Sequence, residues 1–179
     1  MNKSLVLLTL VLGSQASAQY PAHIPSANSH QPKSTYAGEE SREIKALSAQ
    51  EQRAWIEGQG AGFAKAAELN SYPGPMHVLE HAQQLELTTS QQTEARALME
   101  AHKLQVRALG AELVETERQL DQLFRTKRAT AATVTGLTQQ IGTLQARIRA
   151  SHLNTHLDQT AMLRPGQIAA YDRLRGCRH

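Results

Sequence analysis

The chain has 179 residues, with 19 Lys and Arg against 16 Asp and Glu, a net charge of +3. So slight an excess leaves no electrostatic footprint for nucleic acid. Two Phe and one Trp make a thin aromatic core, and the one cysteine, Cys177, excludes an intramolecular disulfide.

The N-terminus reads as a secretory signal. Lys3 precedes the apolar run 5–12, and Ala16-Ser17-Ala18 is a small-residue cleavage site, so residues 1–18 are expected to be a cleaved signal peptide. The run is too short to span a bilayer, and the expected product is an exported, periplasmic protein. In an oxidising compartment Cys177 is then either a free thiol or paired between subunits. Residues 19–35 are rich in Pro, Ser, His, Gln and Asn and bury too little to order themselves, so they are expected to form a disordered tail carrying His23 and His30.

Residues 36–179 are expected to form a single all-α domain, because Leu and Ala interleaved with Gln, Glu and Arg favour packed helices over a sheet. Short helices are expected over 36–72. Helical patterning begins near Tyr36, and Ser48 with Glu51 three residues on makes a capping box for a second start. Gly58, Gly60 and Gly62 interrupt before a further turn or two over 63–69. Tyr72-Pro73-Gly74-Pro75 breaks the chain, with Pro75 placed at the first turn of a helix over about 75–85. Thr88 and Gln91 form another capping box and open the longest helix, about 89–124. Its apolar seam, Ala95, Met99, His102, Val106, Leu109, Leu113, Thr116, Leu120 and Leu123, alternates steps of 4 and 3. A small, basic loop follows, then a second long helix over about 133–162. There Val134, Leu137, Ile141, Leu144, Ile148, Ser151 and Thr155 continue a seam, with His152 and His156 one position beside it. A last short helix follows Leu163-Arg164-Pro165-Gly166-Gln167. Two long heptad helices with a short link predict an antiparallel hairpin over 75–175, with short flanking helices.

Histidines carry the chemistry. His77/His81 and His152/His156 are two pairs with a four-residue gap, which places both rings of a pair on one helix face. The hairpin register sets His102 opposite roughly Thr155 and brings both pairs to one end. Glu80 adds an oxygen donor. Imidazole and carboxylate suit a divalent transition metal, Zn, Ni, Co or Cu(II). Met76 and Met162 are near enough in sequence to offer sulfur. The string His77-Val78-Leu79-Glu80-His81 also matches a metalloprotease pattern, but nothing suggests a substrate-cleft domain, and no nucleophile–base pair or phosphate loop stands out. The chain reads as a non-enzyme. Lys103, Arg107, Arg118, Arg125, Lys127, Arg128, Arg147 and Arg149 offer a basic surface for acidic segments of unfolded clients.

Leu87-Thr88-Thr89-Ser90-Gln91 and the partial copy Leu163-Arg164-Pro165-Gly166-Gln167, flanking a long hairpin, resemble the Spy/CpxP/ZraP/CnrX-like periplasmic LTxxQ-motif family. The second copy keeps Leu and Gln and lacks Thr. The resemblance covers roughly 75–175 and implies a curved hairpin homodimer. It further implies either an ATP-independent chaperone or a periplasmic heavy-metal sensor with a membrane-bound signalling partner. The nickel/cobalt-sensor branch has a His pair on its first hairpin helix, a carboxylate on the next, and a late His followed by Met. His77, His81 and His152 match. His156 stands where that branch has Met, and the carboxylate would be Glu94, Glu100 or Glu80. The hairpin register, independently of the resemblance, adds His102 as a further candidate.

Overall fold

The computed structural model describes residues 34–60 and 62–176. The expected signal peptide, nearly all of the tail with His23 and His30, and Cys177 lie outside them. From Tyr36 onward the chain packs as one unit. Its named elements are all helices: α1 (Ala49–Glu57), α2 (Lys65–Glu68), α3 (Pro75–Glu80), α4 (Thr89–Arg125), α5 (Ala131–Ala161) and α6 (Pro165–Arg175). Among the described residues no helix is long and apolar enough to cross a membrane.

Local chemistry sets these boundaries. Thr88 accepts from the Gln91 N–H at 3.2 Å, and Gln91 Oε1 accepts the Thr88 N–H at 3.0 Å, which starts α4. Thr130 and Thr133 reciprocate in the same way, at 3.2 and 3.0 Å, and start α5 after the link 126–130. Ser48 and Glu51 cap α1 as their spacing predicts, at 3.1 and 2.8 Å. Two expectations are corrected. Helix is absent over 36–47, where turns and a lone Ile44–Leu47 bridge take its place around Gly38 at φ +97°. The helix from Pro75 ends at Glu80, because the chain must turn through Glu86 at φ +48° to reach the Thr88 cap.

The two long helices pack along the predicted seams. Val106, Leu109 and Leu113 bury against Ile141, Leu144 and Ile148. Partners move backward along α5 as they advance along α4: Gln91 bonds to the Met162 carbonyl and His102 to Ser151. The N-terminal segment lies across this pair. Ile44 and Leu47 bury against Val114, and α1 crosses α4 backbone to backbone at Gly110, where a Cβ would run into the Trp55 carbonyl oxygen.

A second apolar cluster, Val78, Leu85, Leu87, Leu163 and Tyr171, closes the other end. It surrounds a glutamine pair. Gln91 Nε2 donates to Gln167 Oε1 at 2.9 Å, and Gln167 Nε2 donates back to Gln91 Oε1 at 3.2 Å. Their remaining amide hydrogens reach Met162 O at 2.7 Å and Leu85 O at 3.0 Å. Each oxygen also accepts the backbone N–H that precedes its own helix, Thr88 or Arg164. The Leu and Gln shared by the two motif copies thus do one job twice: Leu anchors the loop and Gln caps its helix while binding the other loop.

Candidate metal centre

A pocket of about 370 Å3 opens where α5 meets the N-terminal segment and α3. His77, His102, His152 and His156 line it, together with Glu57, Glu68, Met76 and Met99. Heptad packing of α4 on α5 brings His102 to His152. The break at Pro73–Pro75 lays α3 and its His77 against the same end.

The hydrogen bonds decide which ring nitrogens are committed. Ser151 Oγ donates to Gln105 Oε1 at 2.8 Å, so it accepts from His102 Nδ1–H at 3.1 Å. His102 Nε2 then carries a lone pair and accepts from His152 Nδ1–H at 3.0 Å. The relay leaves His152 Nε2 with a lone pair that is buried and has no partner. His156 Nδ1–H donates to the Tyr72 carbonyl at 2.6 Å, and His77 Nδ1 faces Glu80 Oε2 at 2.8 Å. Three imidazoles in one pocket therefore share a pattern: Nδ1 is tied and Nε2 makes no hydrogen bond, that of His156 facing a carboxylate oxygen of Glu68. That is how histidines are held for metal, with the far nitrogen oriented by a carbonyl, a carboxylate or another acceptor.

Electrostatics disfavour the charged form of His152 and of His102. Burial, and then the neighbouring His102 and His156, push His152 down to about 4. Burial lowers His102 in the same way. A neutral imidazole is the form that binds a cation. The bond from His77 holds the Glu80 carboxyl below its ordinary value.

The candidates are not all gathered. His81 and Glu80 are not among the residues lining the pocket, and Glu80 is exposed and bonded to His77. Exposed Glu94 accepts from Ser90 Oγ at 2.6 Å, and exposed Glu100 pairs with Lys103 at 3.4 Å; neither lines the pocket. Among the described residues, no three His, Cys, Asp or Glu side chains stand close enough as placed to hold an ion.

Sequence reasoning missed two features. Glu68 Oε1 lies 3.8 Å from His156 Nε2, while its Oε2 accepts from Tyr171 Oη–H at 3.2 Å. No periodicity links Glu68 to α5; only the fold of the glycine-broken segment brings it there. Gly74 is the other. A Cβ there would meet His156 Cε1 at 2.7 Å and Nε2 at 2.8 Å, so glycine is what lets the backbone lie against this ring. Phe63 stacks over His152 at 6.2 Å.

No family model, curated protein or solved structure matches the chain.

Proposed function

We propose that the protein binds a divalent transition metal (Zn, Ni, Co or Cu) in the periplasm, as a sensor or metal-stress protein without catalysis. The observation that carries this reading is the buried, unpartnered Nε2 of His152, in a pocket shared with His77 and His156, whose Nδ1 atoms are likewise committed. A buried lone pair without a partner is costly unless something occupies it in use. His77, His152 and His156 are the ligands, Glu80 orients His77, and His81 lies one turn away as the remaining member of its pair. Closing three rings onto one ion needs side-chain rotation and a small approach of α3 to α5. The metal would thus select a closed packing of this end. The reading includes the LTxxQ-type resemblance, with α4 and α5 as an antiparallel hairpin that dimerises, and a membrane-bound signalling partner.

The test is calorimetric titration of chelator-stripped mature protein with the four metals, beside a variant with His77, His81, His152 and His156 all changed to Ala. Submicromolar binding that the variant loses is the expected result. Weak binding, equal in both, refutes the reading.

A second reading, an ATP-independent chaperone, is favoured by exposed apolar side chains on the long helices. Leu104 is 76% exposed, Phe124 55% and Leu157 51%. In that case the four-histidine variant would still suppress aggregation of an unfolded client.

A further inference from the structure

We propose that Glu68 is a ligand of the same ion, so that metal loading clamps the glycine-broken N-terminal segment onto α5. This rests on the metal-binding reading above. Glu68 sits on α2, about a hundred residues before the α6 tyrosine it touches and far from α5 in sequence, yet its two oxygens divide between them. Oε2 accepts from Tyr171, and Oε1 stands 3.8 Å from His156 Nε2. Two ligands on one tetrahedral zinc, at about 2.0–2.2 Å each, lie roughly 3.4 Å apart. The observed separation is therefore close to the spacing a shared ion imposes. His156 cannot turn away to relieve it, since Nδ1 is held by the Tyr72 carbonyl and the Gly74 backbone lies against its edge. Glu68 is three-quarters buried on its side chain, and the Tyr171 bond keeps one oxygen oriented while the other faces the imidazole.

The donor set names the class of ion. Imidazoles with one carboxylate select a borderline divalent ion such as Zn2+, whereas thioethers select Cu(I). Met76 and Met99 also line the pocket, and Met76 is 53% exposed, so a soft donor set is the competing arrangement. The carboxylate is favoured because it already faces an uncommitted imidazole nitrogen. Its capture would fix α2 against α5 through Glu68, and Phe63 and Trp55 would register the change. Trp55 is the one tryptophan of the chain, and its ring lies 5.3 Å from that of Phe63, which itself stacks over His152.

The experiment follows Trp55 fluorescence while full-length mature protein, stripped of metal, competes for Zn2+ with a chromogenic chelator. Three variants accompany it: Glu68→Gln, the pair Met76→Leu with Met99→Leu, and the pair His152→Ala with His156→Ala. Gln keeps an oxygen for the Tyr171 bond, and a melting curve checks that it folds. Glu68→Gln, which removes a direct ligand, is expected to weaken zinc by at least about 10-fold, the loss that removing a mere orienting group causes, with the methionine pair unchanged. If Glu68→Gln binds zinc like the parent while the histidine pair does not, metal binding stands and this inference fails. Tighter Cu(I) than zinc binding, lost in the methionine pair alone, overturns it in favour of the thioethers. No zinc binding by the parent overturns this inference, and the metal-binding reading falls with it only if nickel, cobalt and copper also fail to bind in the calorimetric titration. Should Glu68→Gln not fold, hydrogen exchange on the parent decides: zinc must slow exchange over 62–70, and unchanged exchange there refutes the clamp.

Discussion

At the residue scale, His152 shows how burial beside other histidines keeps a ring neutral with one nitrogen open. Its ring is almost wholly covered, its Nδ1–H goes to His102, and its depressed basicity keeps it neutral. The same features couple stability to acid. Unfolded, the ring titrates near its ordinary value; folded, it titrates at about 4. The unfolded state therefore binds more protons between those values, and stability falls as pH drops through that window. His102, lowered by burial as well, adds to the effect. Melting temperatures of the metal-stripped protein should fall from pH 6.5 toward 4, and a His152→Leu variant should show a shallower fall. An identical pH profile in the two proteins would mean that His152 is not held neutral in the fold.

At the element scale, the glutamine pair explains why two short helix starts can fasten a long bundle at its open end. Every amide hydrogen and oxygen of Gln91 and Gln167 has a partner inside the protein, and Gln167 is 5% exposed. Removing one member leaves buried donors and acceptors unpaired, which costs about 1–3 kcal/mol. Gln91→Ala and Gln167→Ala should each lower stability by that order, and the double variant should lose less than the sum of the two. Additive losses in a denaturant cycle would show that the pair is not coupled. The capping boxes at Ser48 and Thr88 and the heptad seams of α4 and α5 were legible because cap and period are local properties of the chain. The turn structure over 36–47 and the early end of α3 were not, because both answer to where the chain must go next.

At the scale of the molecule, the candidate ligands lie on α3 and α5, with Glu68 on α2, so an ion would join parts that are distant in sequence. Binding to the folded state alone stabilises it, by about 2.7 kcal/mol at a free concentration 100 times the dissociation constant. Saturating zinc should raise the melting temperature of the parent and leave the four-histidine variant where it melts without metal. An equal rise in both would place the stabilisation elsewhere on the surface.

The residue pattern by itself determined the helical class, the two long helices, their buried seams and the pairing of His102 with the His152 region, because each follows from spacing along one or two helices. It also marked His77, His152 and His156. The tertiary structure alone decided that His81, Glu94 and Glu100 stand off the pocket and that Glu68 and Gly74 stand at it. The reason is physical. Helical period fixes which face a residue occupies, but the path of a segment broken by glycine and proline depends on what it packs against, and that is written across the whole chain.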